Sequence, residues 1–238
     1  MGHIITRSTR IAVVTRGGWE GHSPGEATDL FIPFLVRSGF DVQTFDTLEV
    51  YTDGDLMNAA DLVMQCWTMG EITDEQAAGL TRSVVNGAGF AGWHGGIVDS
   101  FRNSADYLHL TGGQFATHPS KPEHACVPDA QENYFIPHRV QIAAGAANHP
   151  IVAGLDDFDL VTEQYWVLTD SYNDILATTT HPSRADQPWQ EAVTCPAVWT
   201  RRWGAGRVFV ATPGHDPSVL KHPTVRTIVE RGLIWASR

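Results

Sequence analysis

The chain of 238 residues contains 42% hydrophobic and 18% charged residues, a composition typical of a globular protein that buries a full core. Its 16 Lys and Arg against 27 Asp and Glu give a formal net charge of −11, and no basic cluster interrupts that balance. Nucleic acid, which needs a basic surface on its protein partner, is therefore excluded from the expected partners.

The first half of the chain alternates strand and helix patterns. Four short apolar segments are predicted strands, at residues 10–15, 41–45, 62–66 and 89–93. A Gly-rich loop over residues 17–25 precedes a helix that begins at Glu26 and contains Pro33. Thr73 and Gln76 form a capping-box pattern at the start of a second helix. Because strands alternate with helices, we predict βαβ units and hence a parallel sheet.

The second half of the chain is less regular and richer in strand patterns. Its predicted strands are residues 139–143, 160–166, 175–179, 197–201 and 207–212. Residues 204–206, with Gly at both ends, are typical of a hairpin turn, and a closing helix is predicted from Pro223. These segments predict antiparallel additions to the parallel sheet, within one α/β domain over residues 1–238.

Several chemically capable side chains follow the predicted strands. His22 comes after the first strand, His94 after the fourth and His215 after the last, while Glu163 lies inside the predicted strand at residues 160–166. In open α/β sheets, ligands bind outside the carboxyl ends of the strands. The sequence therefore predicts a histidine-rich pocket at that edge of the sheet.

His94 lies in the segment Gly92-Trp-His-Gly-Gly96, which has the outline of a nucleophile elbow, a sharp strand-to-helix turn. Small neighbours are needed there because the backbone is strained and closely packed. A histidine at this position suits a general base or a metal ligand better than acyl transfer. Packing at a strand end is the alternative for His94, and a loop histidine bonded to Asp216 is the alternative for His215.

The cysteines indicate the cellular compartment. Cys66, Cys126 and Cys195 are the only three, and none forms a CxxC pair. We interpret them as reduced thiols of a cytoplasmic protein. No apolar run has the length of a signal peptide or a bilayer span, so no membrane partner is expected.

Six segments match one known family in the same order: GFAGWHGGIVDSF (89–101), YLHLTGGQFATHP (107–119), NHPIVAGLDDF (148–158), TEQYW (162–166), GAGRVFVATPGHD (204–216) and RGLIWA (231–236). The chain thus resembles the ThuA-like (trehalose-utilisation) family over nearly its whole length. The resemblance implies a flavodoxin-like fold related to class I glutamine amidotransferases, with a mainly parallel sheet and helices on both faces. It also implies a link to catabolism of trehalose and related disaccharides, whose sugars pass through 3-keto forms.

The matched motifs single out the reactive residues. His94, Glu163 and His215 fall inside them and are assigned as catalytic residues. His22, His94 and His215 are assigned as ligands of a divalent ion such as zinc or manganese, which imidazole and carboxylate groups favour. No nucleotide cofactor is expected.

Five further residues are assigned to substrate binding. His118 and Tyr165 belong to matched motifs, and shaping of the loop is the alternative for His118. Trp19, Trp67 and Trp93 each lie at or after a strand end, where an indole ring would stack on a sugar. Ordinary core packing is the alternative for all three tryptophans.

Three functions are compatible with these assignments. The first is an enzyme that isomerises or cleaves a disaccharide or a 3-keto-glycoside by metal-assisted acid–base chemistry, with a small sugar as its partner. The second is a non-catalytic carbohydrate-binding or regulatory module that uses the same pocket. The third is an amidotransferase-type hydrolase with Cys66 as a displaced nucleophile, which is disfavoured because His94 stands where the amidotransferases have cysteine. The resemblance also implies a homodimer.

Overall fold

The computed structural model describes residues 9–238, in which strands alternate with helices. The strands are β1 (Arg10–Gly18), β2 (Phe40–Phe45), β3 (Leu62–Thr68), β4 (Gly89–Trp93), β5 (Gly113–Thr117), β6 (Ile136–Ile142), β7 (Phe158–Thr162), β8 (Trp166–Thr169), β9 (Asp174–His181), β10 (Val193–Trp203) and β11 (Gly206–Ala211). The α-helices are α1 (Pro24–Asp29), α2 (Ile32–Arg37), α3 (Gly54–Ala59), α4 (Asp74–Val85), α5 (Gly95–Val98), α6 (Ala105–Thr111), α7 (Pro217–Leu220) and α8 (Pro223–Ala236). Short 3₁₀ helices span Glu20–His22, Leu48–Thr52, Glu123–Ala125, Gln131–Tyr134 and Ala144–Ala146.

Nine strands form one sheet in the order β2-β1-β3-β4-β11-β10-β9-β6-β7. All neighbouring pairs from β2 to β11 are parallel, and all pairs from β11 to β7 are antiparallel. β5 and β8 pair separately as a two-stranded antiparallel sheet. The predicted α/β fold, with antiparallel additions to a parallel core, is confirmed.

Helices cover both faces of the parallel strands because the strand side chains alternate between two hydrophobic clusters. On one face, Val14 belongs to a cluster completed by apolar residues of α1, α2 and α8. On the other face, Val13 belongs to a cluster completed by residues of α4, α5 and α6. Both valines are fully buried. The continuous apolar runs of the sequence therefore follow from burial on two sides.

The first predicted helix is interrupted in the structure. It forms two short helices, α1 and α2, and Pro33 lies in the first turn of α2. Proline is tolerated there because a first-turn amide has no partner within the helix. The capping box at the start of α4 is present: Thr73 Oγ1 accepts from the Gln76 amide, and Gln76 Oε1 accepts from the Thr73 amide.

Several predicted strand boundaries differ from the structure, and two of the differences affect the site. β1 continues through Gly17 and Gly18, which were assigned to the following loop. The predicted strand at residues 160–166 is two strands, because β7 ends at Thr162 and β8 begins at Trp166. The chain leaves the edge of the large sheet between them to pair with β5. Glu163 therefore lies in a connection between two sheets, not within a strand.

Among residues 9–238, no helix has both the length and the apolar character needed to cross a bilayer.

Candidate metal centre

The strand-to-helix turn at His94 has the strained geometry that the glycine pattern predicts. His94 lies between β4 and α5 with φ of 50° and ψ of −146°, outside the regions that L-residues ordinarily adopt. A Cβ on Gly92 would lie 2.5 Å from the Gln65 carbonyl oxygen, and one on Gly96 would lie 2.8 Å from Cys66 Cα. The turn thus depends on glycine to bring α5 against β3.

Gly96→Ala is expected to lower the free energy of unfolding by about 1–3 kcal/mol, because the new methyl group overlaps the β3 backbone. Gly145→Ala is the matched control, since nothing lies within 4 Å of a Cβ at that position. Chemical denaturation of the two variants measures the difference. Equal stability of both variants would contradict the proposed tight contact.

Four buried side chains from distant parts of the chain meet at the carboxyl edge of the parallel strands. They are His22, after β1, His94, after β4, Glu163, after β7, and His215, after β11. One ligand atom from each lies within 4.8 Å of those of the other three. The sequence predicted that these residues belong to one pocket, and the structure brings all four together.

Hydrogen bonds leave a lone pair of His94 directed at a carboxylate. His94 Nδ1 donates to the Thr212 carbonyl at 2.7 Å, so Nε2 is the unprotonated nitrogen of the neutral ring, and it lies 3.1 Å from Glu163 Oε2. Burial lowers the pKa of His94. Glu163 Oε2, as a carboxylate oxygen, is likewise an acceptor. Two acceptors in this arrangement are mutually repulsive unless a cation lies between them.

His22 and His215 are each also held by a hydrogen bond at one ring nitrogen. His22 Nδ1 hydrogen-bonds Thr68 Oγ1 at 2.8 Å, and burial lowers the pKa of His22 to about 2, which keeps the ring neutral. His215 Nε2 lies 3.0 Å from the side-chain amide of Gln131. Its Nδ1 is 3.2 Å from Glu163 Oε2 but makes no hydrogen bond within the described residues. His22 and His94 therefore each have one anchored nitrogen and one nitrogen directed at the centre of the cluster. At His215, Nε2 accepts from the Gln131 amide group, and Nδ1 gains a lone pair for the centre when that amide turns so that its oxygen accepts from Nε2.

This donor set fits a divalent transition metal. Imidazole nitrogens with one carboxylate oxygen are the ligands typical of catalytic zinc. The anchored nitrogens of His22 and His94 contact a hydroxyl and a carbonyl, outer partners of the kind that orient metal-bound imidazoles. His215 is not bonded to Asp216, whose carboxylate accepts from the Ser218 and Val219 amides at the start of α7.

A second group of residues encloses the cluster. Tyr165 stacks on His94 with ring centroids 3.9 Å apart, and His118 Nε2 lies 3.7 Å from Glu163 Oε1. Gln131, Tyr134 and Phe135 come from the long segment over residues 118–135 and cover His118 and His215. Sequence reasoning missed these three, because no local pattern marks a loop residue that reaches a distant strand end.

The three tryptophans assigned to the substrate occupy different environments. Trp19 is 42% exposed and its ring centroid lies 4.7 Å from that of His22. Trp67 is half-buried and packs on Phe101. Trp93 is buried against Phe31, with 4.9 Å between ring centroids, which is the core position named as the alternative. Only Trp19 combines an exposed face with contact to the cluster.

Cys66 lacks the features of a nucleophile. Its side chain is buried within β3, and burial raises the pKa of the thiol to about 12. Since the thiolate is the reactive form, this environment argues against an amidotransferase-type hydrolase.

Iodoacetamide is expected to leave Cys66 unmodified in the native protein at neutral pH, while the half-buried Cys126 reacts. Peptide mapping by mass spectrometry measures both sites, and the denatured protein, in which every cysteine reacts, provides the reference. If Cys66 is modified as fast as Cys126, the result would instead support the hydrolase with Cys66 as its nucleophile.

Comparisons with known proteins agree with the fold. Similar solved structures include putative ThuA-like proteins of Bacteroides uniformis ATCC 8492 (15% identity, TM-score 0.72, covering 99% of this chain and 94% of that one) and of Parabacteroides merdae ATCC 43184 (16%, 0.71, 97% and 90%). A cytoplasmic protein of Salmonella typhimurium LT2 is also similar (12%, 0.64, 96% and 100%). At these identities the likenesses show the fold alone. Comparison with curated proteins finds no match.

The family model described as trehalose utilisation matches residues 10–236, almost all of the chain. The protein therefore belongs to the ThuA family, which is glutamine amidotransferase-like.

Proposed function

We propose that this protein is a metal-dependent enzyme that isomerises or cleaves a disaccharide or a 3-keto-glycoside. Membership of the ThuA family supports a role related to trehalose utilisation. The observation that carries the proposal is the gathering of three imidazoles and one carboxylate whose ligand atoms lie within 4.8 Å of one another. Buried lone pairs that face a carboxylate without an intervening proton favour a bound cation.

His22, His94, His215 and Glu163 would hold the ion, with their outer partners fixing the direction of each ring. When bound, a divalent ion supplies polarisation of a carbonyl or hydroxyl oxygen. His118 lies next to the four-residue cluster without belonging to it, and its side chain is 24% exposed. We assign it the transfer of a proton to or from the sugar, with Glu163 Oε1 at 3.7 Å as its acidic neighbour.

Trp19 and Tyr134 supply the exposed aromatic faces next to this site. Their rings lie against His22 and His118, so a sugar that reaches His118 would also meet an apolar ring face. Indole and phenol rings cover the C–H faces of pyranoses while leaving their hydroxyls free for polar contacts.

Protein purified without an affinity tag or added metal is expected to contain about one equivalent of a divalent ion, with zinc and manganese as the leading candidates. His94→Ala and His215→Ala should each lose it, since each removes a ligand, whereas His124→Ala, in an exposed loop, should retain it. Elemental analysis of the four proteins measures the content. Failure of zinc, manganese and similar ions to bind the wild-type protein would remove the metal from the proposal.

A non-catalytic binding module is the second candidate, and the burial of all four clustered side chains favours it. A buried ion can hold a fold together without reaching a substrate. Turnover separates the two functions. The enzyme predicts that the wild-type protein converts a 3-keto-glycoside or a disaccharide and that His118→Ala binds it without conversion. If no glycoside offered is converted while binding persists, the module is the correct description.

A further inference from the structure

A cavity separate from the four-residue cluster is lined in part by Gln164, the residue that follows Glu163. It has a volume of about 460 Å³, within the range of small-molecule sites. Its walls are mainly apolar and include Pro119, Ile136, Pro137, Pro182 and Trp189. The indole N–H of Trp189 donates to the Pro182 carbonyl at 3.0 Å, and its ring centroid is 5.1 Å from that of Trp166. The aromatic wall is therefore held in one orientation.

The cavity also has a polar feature that the protein leaves unused. His181 lines it and is almost completely buried. Its Nε2 donates to the Tyr165 carbonyl at 3.2 Å, which makes Nδ1 the unprotonated nitrogen, and Nδ1 has no hydrogen-bond partner within the described residues. Burial lowers the pKa of His181, so the ring is neutral. A buried acceptor without a donor is unfavourable and is normally matched by water or a ligand.

A second acceptor lies nearby. Gln164, also on the cavity wall, directs its side-chain Nε2 to Thr179 Oγ1 at 2.6 Å and to the Thr180 carbonyl at 3.1 Å. These two bonds orient the amide group, and its oxygen accepts no hydrogen bond from residues 9–238. Lys121 and Arg184 also line the cavity, and Arg184 is already bonded to Asp186 and to the Ser120 carbonyl. The unused oxygen of Gln164 favours a ligand with a hydrogen-bond donor, and the apolar walls favour an apolar face.

We propose that this cavity is a binding site for a phenol-like group, that is, a flat apolar ring that carries a hydroxyl donor. Trp189 and the prolines contact the ring, and the hydroxyl donates to the Gln164 side-chain oxygen. A pyranose fits less well, because most of its hydroxyls would meet apolar walls. The site is separate from the four-residue cluster and does not depend on the proposed enzymatic function.

Indole N–H signals of ¹⁵N-labelled protein test the proposal. The Trp189 signal is assigned with Trp189→Phe, and the protein is titrated with phenol, anisole and methyl glucoside. Phenol should shift the Trp189 signal saturably. Anisole, which has the ring without the donor, should bind about tenfold more weakly, and methyl glucoside should not bind. Equal affinity for phenol and anisole, preference for the glucoside, or no saturable shift at Trp189 would overturn the proposal.

Variants locate the binding and separate it from the metal cluster. Trp189→Ala should weaken phenol binding about tenfold or more, with the neighbouring Trp166 signal as the reporter. Trp235→Phe, in a different apolar groove, should leave the affinity unchanged. His94→Ala should also leave it unchanged, even if the protein proves to hold no metal. Loss of binding in Trp235→Phe or His94→Ala would place the ligand elsewhere and overturn the assignment.

Discussion

Glu163→Gln is expected to lower the affinity for a divalent ion by about 100-fold or more, and to maintain or raise the stability of the metal-free protein. The carboxylate is the only acidic group of the four clustered residues, so the negative charge that attracts the ion disappears. Without metal, the new amide N–H donates to His94 Nε2, which replaces a contact between two acceptors with a hydrogen bond.

Two measurements on the purified protein check these opposite effects. Calorimetric titration with zinc or manganese gives the affinity, and the melting temperature before and after chelation gives the stability. The gain in melting temperature caused by metal should disappear in Glu163→Gln. Glu230→Gln is the control, because that carboxylate pairs with Arg226 on α8 and touches none of the cluster. A Glu163→Gln protein that binds metal as tightly as Glu230→Gln would disprove the assigned role of Glu163.

Gln65→Leu is expected to lower the free energy of unfolding by about 2–4 kcal/mol. Gln65 is fully buried in β3 and joins a polar network beneath the His94 turn. Its Oε1 accepts from the Tyr51 hydroxyl at 2.9 Å, and its Nε2 donates to the Gly96 carbonyl at 3.0 Å and the Tyr107 hydroxyl at 2.5 Å. Leucine fills the space but removes one partner from each of these buried groups, which costs more than one lost hydrogen bond. The Tyr51 and Tyr107 hydroxyls keep their bonds to Thr15 and to the Ile97 carbonyl.

Gln141→Leu is the matched control for this substitution, because Gln141 is an exposed residue of β6. Its replacement should change the stability by no more than about 0.5 kcal/mol. Urea denaturation of both variants under the same conditions measures the contrast. Similar stabilities of Gln65→Leu and Gln141→Leu would show that the network does not contribute as argued.

Local patterns were enough for the elements of the parallel core and for the turn at His94. The apolar runs of β1, β3 and β4 are continuous and bounded by turn residues, so they identify buried strands without knowledge of their neighbours. Two glycines beside His94 mark a turn in which side chains do not fit. These signals lie within a few residues of the feature they predict.

Other features had no such signal. The segment at residues 160–166 has a strand-like composition throughout, and nothing within it shows that the chain leaves one sheet and joins another around Glu163. Nothing in the sequence around Gln131 shows that its side chain contacts His215, 84 positions away. Trp93 lies at a strand end, where a sugar-binding ring was predicted, but Phe31 packs against the ring and buries it in the core.

By itself, the sequence determined the α/β class, the strained turn at His94 and the placement of histidines after strands, because each depends on the conformation of a short segment. Only the tertiary structure decided which of those histidines meet. His94 contacts Thr212, 118 residues away, because β11 lies beside β4. It contacts Glu163, 69 residues away, because the chain leaves β7 at the edge of the sheet and crosses to β8. Strand order results from the packing of the whole core, in which β11 returns to lie beside β4, and no local pattern encodes that pairing.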